Sequence, residues 1–323
     1  MRVLVTGGAG YVGSFIVRRL LRHNHEVQVI DNLSTGRREA VPEVPLHVVD
    51  IRKSDALKEI FSAFAPQAVI HLAGLKSSAE SVAHPAKYYD VNVIGMAKLL
   101  HVAAAHNVER FIFSSSCAVY GNPEVCPVDE QTPLHPESPY GETKLAGERM
   151  LQWHALASQM HYASLRYFNV AGAAKDGSLG EFVHAGSTQL VPRVILAALG
   201  RGAPFAVRGG DYPTSDGTAL RDYIHVEDLA DAHVRVLESL TTSGLSGVYN
   251  LGRGYPVSVL EMIEEVERVG GKTIERTFAP RRPGDPAVSW ADATLARKTF
   301  DWFPRLNLSD IVESSWNWHH SHS

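Results

Sequence analysis

Three side chains of this sequence could together remove a proton from an alcohol. Ser116 ends the run Phe-Ile-Phe-Ser-Ser-Ser, and Tyr140 and Lys144 stand in Ser-Pro-Tyr-Gly-Glu-Thr-Lys. The Tyr-x-x-x-Lys spacing puts the phenol and the amine on one face of a helix. Because an ammonium favours a nearby phenolate, we expect the pKa of Tyr140 to fall from about 10 towards the working pH. Such a phenol is a general base for a sugar or alcohol hydroxyl, and Ser116 can hydrogen-bond the same oxygen.

The same spacing also occurs on exposed helices, but the N-terminal sequence supports the chemical interpretation. The β-branched run Arg2–Thr6 predicts a buried parallel strand, and the apolar face of residues 14–23 predicts a helix. Between them, Thr-Gly-Gly-Ala-Gly-Tyr-Val-Gly contains Gly7, Gly10 and Gly13. Strand, glycine turn and helix are the layout that places a dinucleotide pyrophosphate at a helix N-terminus, although such glycines can also simply close a turn.

A carboxylate after the second predicted strand indicates which dinucleotide is bound. The strand Glu26–Ile30 leads into Asp31, roughly 20 residues after the glycines, where this layout places an acid on the adenosine ribose. A carboxylate there binds both ribose hydroxyls and repels a 2′-phosphate. We therefore predict NAD rather than NADP.

Composition narrows the class of protein. The 323 residues are 45% hydrophobic and 20% charged, which is ordinary for a soluble globular chain of two domains. A net charge of −4 predicts no nucleic-acid or anionic-membrane partner. No apolar run approaches the roughly 20 residues of a membrane span. The chain opens on a core strand without room for a signal peptide, and only Cys117 and Cys126 are present, so the cytosol is the expected compartment.

Alternating strands and helices predict the architecture. Strands are expected near 2–6, 26–31, 46–50, 68–73, 110–115 and 162–168, and the longest helices near 85–106 and 140–159. This pattern predicts an α/β fold, a Rossmann-type doubly wound parallel sheet with a smaller α+β substrate-binding domain. We assign residues 1–172 and about 222–250 to the NAD-binding domain, and about 173–221 and 251–323 to the other. Ser258 and Glu261 predict a capping box whose helix Gly270-Gly271 ends.

The C-terminal histidines are the one cluster that could attract a metal ion. His319, His320 and His322 lie close together in sequence. A frayed tail is the better interpretation, because chain termini are often poorly ordered. We predict no metal site.

With these motifs in place, the chain resembles the UDP-glucose 4-epimerase family of extended short-chain dehydrogenases/reductases. The resemblance covers nearly the whole length. Its most specific parts are Leu-Arg-Tyr-Phe-Asn at 165–169, Asp-Tyr-Pro-Thr-x-Asp-Gly-Thr at 211–218 and Ala-Pro-Arg-Arg-x-Gly-Asp at 279–285. Further matching stretches are Thr6–Gly13, Asp31–Leu33, Asp50–Arg52, His71–Lys76, Ser114–Gly121, Pro139–Lys144 and Tyr249–Gly252.

The resemblance implies a tightly held NAD and chemistry at the sugar C4. Tyr140 would take the proton of the 4-hydroxyl while C4 gives a hydride to the nicotinamide; the 4-keto sugar would turn over, and the hydride would return to its other face. Ser116 would orient O4 and pass the proton, and Lys144 would lower the pKa of the tyrosine and hold the nicotinamide ribose. The implied cofactor-binding residues are Gly7, Gly10, Tyr11, Val12, Gly13, Asp31, Asn32, Asp50, Ile51, Leu72, Ala73, Gly74, Lys76, Tyr140, Lys144 and Phe168.

The resemblance also implies a UDP-sugar substrate. Arg221 and Arg282 suit its diphosphate, since a guanidinium binds two oxygens at once, and Asp285 would accept from the uridine ribose. Ser289, before Trp-Ala-Asp, leaves room for a 2-acetamido group, which implies activity on UDP-GlcNAc and UDP-GalNAc as well as UDP-glucose and UDP-galactose. The implied substrate-binding residues are Lys76, Ser116, Tyr140, Asn169, Gln189, Leu190, Val207, Arg208, Arg221, Arg282, Asp285 and Ser289.

Four departures from the family pattern concern substrate choice. Gln189 replaces an Asn or His, and Arg208 stands where an aromatic ring commonly stacks on uracil, although a guanidinium plane can also stack on a base. Arg193 is unusual: if it points inwards, UDP-glucuronate becomes a possible substrate, and otherwise it faces solvent. The loop Glu181–Ser187 lacks the acid that usually follows Gly-Glu.

Three other functions share parts of this sequence pattern. Nucleotide-sugar dehydratases and decarboxylases carry an acid just after the catalytic hydroxyl, where this chain has Cys117 and Ala118. A 4-keto reductase would need an exchangeable, usually phosphorylated, cofactor. A non-catalytic dinucleotide sensor tends to lose the tyrosine or the lysine, and this chain keeps both. An epimerase is the preferred interpretation, with a homodimer formed through the two long helices as in the resembled family.

Overall fold

Seven parallel strands form the main sheet of the protein. The structure, a computed structural model, describes residues 1–183, 188–201, 204–242, 245–282 and 285–322. The sheet consists of β1 (Arg2–Thr6), β2 (Glu26–Asp31), β3 (Leu46–Val48), β4 (Ala68–His71), β5 (Arg110–Ser116), β6 (His161–Tyr167) and β10 (Gly247–Leu251). Their spatial order is β10-β6-β5-β4-β1-β2-β3, and every neighbouring pair is parallel. The strand order reverses between β1 and β4, which is the switch point of a doubly wound sheet.

Helices cover both faces of this sheet. Helices α1 (Tyr11–Arg22) and α8 (Val226–Thr242) pack together on one face, where Ile16, Leu20 and Leu237 are fully buried. Helices α2 (Ser54–Phe64), α5 (Gly95–Ala105) and α6 (Pro139–Ser158) cover the other face. The predicted fold class is confirmed, since the continuous apolar strands are buried on both sides as a parallel sheet requires.

A smaller group of elements lies at the carboxyl edge of the sheet. It contains β7 (Asn169–Ala171), β8 (Phe205–Arg208), β9 (Leu220–His225), β11 (Pro256–Ser258), β12 (Arg276–Ala279) and β13 (Val288–Ser289), with α7 (Leu190–Ala198), α9 (Val259–Gly270), α10 (Thr294–Phe300) and α11 (Leu308–Ser321). Helices α7, α9 and α11 share one apolar core. Phe300 and Trp302 instead pack into the core of the main sheet. The predicted two-domain division stays a prediction. Residues 184–187, 202–203, 283–284 and 323 of its second domain lie outside the described residues, as do 243–244 of its first, so most of the loop Glu181–Ser187 is not described.

The predicted helix over 85–106 is present with a local change of winding. It comprises α4 (Pro85–Tyr88), a π-helical turn (Tyr89–Ile94) and α5. The π-helical turn alters which side chains face the sheet, and it contains Asn92, a buried residue of the site described below. The capping box of Ser258 and Glu261 at α9 is confirmed, as is its end at Gly271, whose φ is 62°.

The C-terminal segment is a packed helix, so the interpretation of the histidines as a frayed tail is wrong. Helix α11 continues to Ser321, Trp318 and His319 are buried, and burial lowers the pKa of His319 to about 4. His322 stacks on Trp318 with 3.8 Å between ring centroids. These aromatic contacts order the last turn. Among the described residues, no helix combines the length and the apolar character that crossing a membrane requires.

A buried ion pair ties the middle of the sheet to α6. Arg166 on β6 donates to both carboxylate oxygens of Glu148, at 2.8 and 2.6 Å, and Ser115 donates to the same carboxylate at 2.5 Å. Arg166 also donates to the Tyr120 hydroxyl, which in turn donates to Asn250 at 2.7 Å. Since each buried polar group has a partner, the network fixes α6 relative to the strands β5 and β6. This matters because the side chains predicted to be catalytic stand on β5 and α6.

Candidate active site

The strand β5 and the helix α6 bring Ser116 and Tyr140 together. Ser116 is the last residue of β5, and its hydroxyl accepts from the amide of Ala118 at 3.2 Å. Helix α6 begins at Pro139 and is capped by the Ser138 hydroxyl, which accepts from the Gly141 amide at 3.2 Å. Tyr140 lies in the first turn, and the Ser116 side chain is close enough to lower the pKa of its phenol. The two hydroxyls therefore form one site at the carboxyl edge of the sheet.

Lys144 lies one turn further along α6, buried beneath Tyr140. Its ammonium donates to the carbonyl oxygen of Ser114 at 2.7 Å and lies 4.9 Å from the centre of the Phe113 ring. The distance from Nζ to the centre of the Tyr140 ring is 5.9 Å. Lys144 is only 7% exposed, and burial lowers its pKa to about 8. Below about pH 8 the site therefore holds a positive charge under the phenol.

The expected fall in the pKa of Tyr140 is wrong when only the protein's own groups act on the phenol. Burial raises the pKa of Tyr140 well above its ordinary value, and the hydrogen bond from Ser116 offsets only part of that rise. The physical reason is that a desolvated phenolate loses its hydration, while the Lys144 ammonium is directed at a backbone carbonyl rather than at the phenol oxygen. Positive charge beside the phenol would oppose this rise in its pKa.

Sequence reasoning missed Asn92, which links the loop after β4 to α6. Its amide nitrogen donates to the Leu75 carbonyl and to the Thr143 hydroxyl, both at 3.0 Å, and its amide oxygen accepts from the Leu75 amide at 2.8 Å. The sequence carries no local signal for this role, because the partners are 17 and 51 residues away. Asn92 thus holds the turn of Gly74 and Lys76 against the helix that carries Tyr140.

The glycine turn before α1 has room for a phosphate. Gly7 has a φ of +73°, and a Cβ at Gly13 would lie 2.2 Å from the Gly7 carbonyl oxygen, so both positions need glycine. A Cβ at Gly10 would meet only one atom, at 3.3 Å, and that side of the turn faces the cleft. No side chain caps α1, whose first amides at Tyr11 and Val12 point towards the same space. These residues fit a dinucleotide pyrophosphate.

Asp31 stands at the end of β2, with its carboxylate held by the backbone. It accepts from the amides of Ala9 at 3.1 Å and Leu33 at 2.8 Å, and burial is the main cause that raises its pKa. The neighbouring Asn32 donates to Asp50 at 3.2 Å, and Asp50 also accepts three hydrogen bonds from Arg52, at 2.9, 2.9 and 2.7 Å. The Asp31 carboxylate keeps free lone pairs for hydroxyl donors, whereas the four hydrogen bonds to Asp50 occupy its acceptor sites.

Other residues expected at the cofactor lie around the same cleft. Leu72 and Ala73 follow the end of β4 and donate to the Thr6 carbonyl, and buried Ile51 lies against Gly95. The Lys76 ammonium is 3.7 Å from the Glu181 carboxylate, and the Tyr11 hydroxyl donates to the Gly172 carbonyl at 2.6 Å. Phe168 is buried in the apolar cluster of Tyr120, Leu145 and Ala291 beside the catalytic strand.

Arg221 and Asp285 meet at the mouth of the site. Arg221 on β9 binds the Asp285 carboxylate and donates to the Pro286 carbonyl at 2.7 Å. Its charge acts on the thiol of Cys117, next to Ser116, so Arg221 lies near the catalytic hydroxyls. Ser289 on β13 is the register partner of Arg221 and is 8% exposed. Asn169, exposed at the start of β7, pairs with the same strand β9.

A second group of arginines stands apart from these residues. Arg208 ends β8 opposite Ala279 of β12, and Arg282 follows β12; both are exposed. The half-buried Arg193 on α7 lies 5.5 Å from the Phe205 ring, and the positive charges of Arg282 and Arg208 add to burial in lowering its pKa. Among the described residues, no ion pair joins the three to a carboxylate. Gln189 and Leu190 begin α7 and Val207 is buried on β8, so these three residues border the same group.

This combination of a dinucleotide cleft and a serine–tyrosine–lysine site defines a class of enzyme. Residues 3–252 match the NAD dependent epimerase/dehydratase family. The chain belongs to that family.

Similar proteins extend over the whole chain. A UDP-glucose 4-epimerase of Lactobacillus helveticus is 44% identical, over 100% of this chain and 98% of that protein. The crystal structure of a UDP-glucose 4-epimerase from Bifidobacterium longum in complex with NAD+ and UDP superposes with a TM-score of 0.96 at 39% identity, covering 100% of this chain and 99% of the other. A UDP-Glc/GlcNAc 4-epimerase from Campylobacter jejuni gives a TM-score of 0.86 at 36% identity, with 99% of both chains covered.

Proposed function

We propose that this protein is an NAD-dependent 4-epimerase that interconverts UDP-glucose and UDP-galactose through a 4-keto sugar. The observation that carries this proposal is the close approach of Ser116 and Tyr140 above the buried Lys144, placed beside a cleft fit for a dinucleotide. Full-length similarity to UDP-glucose 4-epimerases supports the sugar nucleotide. The direct test is incubation with a panel of UDP-hexoses and chromatographic separation of the C4 epimers.

In the proposed mechanism, Tyr140 holds and moves the proton of the sugar 4-hydroxyl. Ser116, next to the phenol, orients the sugar O4 and passes the proton between the two oxygens. Lys144 stabilises the phenolate by its charge from below. When bound, NAD supplies the hydride acceptor for C4 and a positive charge beside the phenol. Fixed donors and charges around a developing alkoxide are the main source of rate in such a site.

The proposed cofactor-binding residues contact different parts of the dinucleotide. Gly7, Gly10 and Gly13 would give backbone amides and space to the pyrophosphate, with Lys76 as a cation. Asp31 would hold the adenosine ribose, with Asn32, Asp50 and Ile51 towards the adenine. Tyr140, Lys144 and Phe168 would lie at the nicotinamide end. The remaining proposed contacts are Tyr11, Val12, Leu72, Ala73 and Gly74.

NAD is expected to copurify with the protein. The cleft joins glycine amides, Asp31 and Lys76 around one ligand, and Asp31 disfavours a 2′-phosphate. Heat or acid denaturation of the purified protein should release NAD into the supernatant, where a cycling assay quantifies it. A preparation that is fully active only with added NADP would contradict the proposal.

The acidic limb of the pH–rate profile is expected to move to higher pH in Lys144→Ala. Removing a positive charge beneath Tyr140 disfavours the phenolate, so its pKa rises and a more alkaline solution is needed to form the base. The measurement is kcat against pH between 6 and 10 on the holoenzyme, with Lys58→Ala, at an exposed lysine of α2, as a surface control. An unchanged acidic limb in Lys144→Ala would separate this lysine from the base.

The arginine positions favour neutral sugars over a uronate. Arg193 shares its surroundings with Arg208 and Arg282, whereas Arg221 is the arginine that acts on Cys117 beside the catalytic serine. We therefore propose that Arg193 serves the nucleotide end, together with Gln189, Leu190, Val207 and Arg208. Arg221, Arg282 and Asp285 would hold the diphosphate and ribose, and Lys76, Asn169 and Ser289 would border the sugar. UDP-glucuronate should remain unconverted in the same panel.

The oligomeric state and the compartment are also proposals. The long helix α6 exposes Trp153 by 69% and Leu156 by 73%, and the preceding π-helical turn exposes Ile94 by 48%. Exposed apolar side chains on these two helices support a homodimer formed through them, which light scattering can test. Two free cysteines support a cytoplasmic location.

A further inference from the structure

The segment 180–182 crosses the mouth of the dinucleotide cleft. The cleft is lined by the glycine turn and the start of α1 on one side and by Gly180, Glu181 and Phe182 on the other. Arg37 and Lys76 also line it. A ligand at the N-terminus of α1 would therefore be covered by this segment.

Phe182 is clamped between two side chains from distant parts of the chain. The Arg37 guanidinium lies 4.1 Å from the centre of the Phe182 ring. The ring also contacts Trp318 of α11 in an edge-to-face arrangement, with centroids 5.0 Å apart and an interplanar angle of 81°. Arg37 is itself anchored to the glycine turn, because its amide donates to the Ala9 carbonyl at 3.0 Å. The clamp thus connects the glycine turn to the C-terminal helix.

Two further contacts hold the same segment in place. The Trp318 indole donates to the Glu181 carbonyl at 3.0 Å, and a Cβ at Gly180 would lie 2.3 Å from the indole ring. The Glu181 carboxylate is buried, 3.7 Å from the Lys76 ammonium, and its charge acts on Tyr11 at the start of α1. Residues 180–182 are therefore fastened to the loops after β2 and β4, which flank the cleft on both sides.

We infer that Arg37, Glu181 and Phe182 form a strap that retains the bound dinucleotide. In the resembled family an acidic residue usually follows Gly-Glu, and in this chain Phe182 stands there. A carboxylate at that position would put a further negative charge beside the pyrophosphate. An aromatic ring instead closes the cleft and leaves Arg37 and Lys76 as its cations. These are positioning residues, since their effect falls on departure of the cofactor rather than on proton transfer. The inference rests on the proposed function only in taking NAD as the ligand.

The test compares exchange of bound NAD for labelled NAD in the holoenzyme and in variants. Arg37→Ala and Phe182→Ala each break the cation–π contact, for which about a 2- to 30-fold faster exchange is expected. The double variant should be no faster than the faster single variant, because both changes remove the same contact. Phe182→Tyr keeps the ring and should exchange as the wild type does. Arg38→Ala, the neighbouring exposed arginine, is the matched control.

The outcomes separate this inference from the proposed function. Faster exchange in both single variants, with a smaller change in kcat at saturating NAD, supports the strap. Wild-type exchange in Arg37→Ala, whose exposed side chain tolerates truncation, overturns the strap whatever Phe182→Ala does to folding. An equal effect of Arg38→Ala overturns it as well. If the wild-type protein retains NAD but converts no UDP-hexose, the epimerase proposal is rejected. NAD exchange in the variants then still decides whether the strap exists.

Discussion

Tyr140→Phe is expected to lower kcat for UDP-galactose epimerisation by about 10²–10⁴-fold, the usual contribution of a general base. The variant removes one hydroxyl and leaves the ring that packs edge-on to Tyr88, with centroids 6.5 Å apart. The fold, the bound NAD and the affinity for UDP should therefore stay close to those of the wild type. The loss should appear in kcat rather than in the binding of UDP, because the hydroxyl acts on the reacting proton.

The measurement uses three readouts on one preparation. These are turnover by coupled assay, NAD content after denaturation, and the dissociation constant of UDP by calorimetry. Tyr89→Phe, at an exposed tyrosine of the π-helical turn, is the matched control and should keep wild-type turnover. If Tyr140→Phe retained a rate near that of the wild type, the assignment of the base would be wrong.

Ser289→Tyr is expected to reduce kcat/KM for UDP-GlcNAc and UDP-GalNAc far more than for UDP-glucose and UDP-galactose. Ser289 is buried on β13 next to Arg221. A larger side chain there is expected to fill space at the end of the site where we propose that the sugar binds. Overpacking typically costs about 1–3 kcal/mol, which corresponds to roughly 5- to 150-fold in kcat/KM. The effect should be confined to the 2-acetamido pair, because only these sugars carry the additional group.

The plain UDP-hexoses serve as the internal control for this variant. Ser289→Ala keeps the space and loses only the hydroxyl, so it should convert all four sugars, with a modest loss on the acetamido pair if the hydroxyl binds that group. Thermal unfolding of each variant checks that the fold is intact. Equal losses on both pairs, or no wild-type activity on the N-acetyl sugars, would exclude Ser289 as the gate.

Local sequence patterns predicted the elements that present the site. The apolar run of β1, the glycines at 7, 10 and 13, the start of α1 and the carboxylate at 31 all lie within one short stretch. The turn geometry, steric demand and local hydrogen bonds of such a stretch depend mainly on its own residues, so pattern and spacing are sufficient to predict them. The same holds for the capping box at Ser258, whose partner is three residues away.

Contacts between distant segments were not predictable in the same way. The π-helical turn and the hydrogen bonds of Asn92 depend on Thr143 and Leu75, which lie beside Asn92 only in the folded protein. The C-terminal histidines lie in a packed helix, and not in a frayed tail, because Trp318 hydrogen-bonds the segment 180–182. The residues in these contacts are of common types, and their spacing along the chain matches neither the helix nor the strand period.

By itself, the sequence determined the kind of chemistry: a serine, a tyrosine and a lysine on a sheet that carries a dinucleotide turn. Only the tertiary structure decided the electrostatics and the closure of that site. It desolvates the half-buried Tyr140 phenol and aims Lys144 at the Ser114 carbonyl, so the pKa of Tyr140 rises where the spacing predicted a fall. It also brings Arg37, Phe182 and Trp318 together over the cleft. The physical reason is that a pKa and a packing contact depend on which distant groups exclude water, and spacing along the chain does not contain that information.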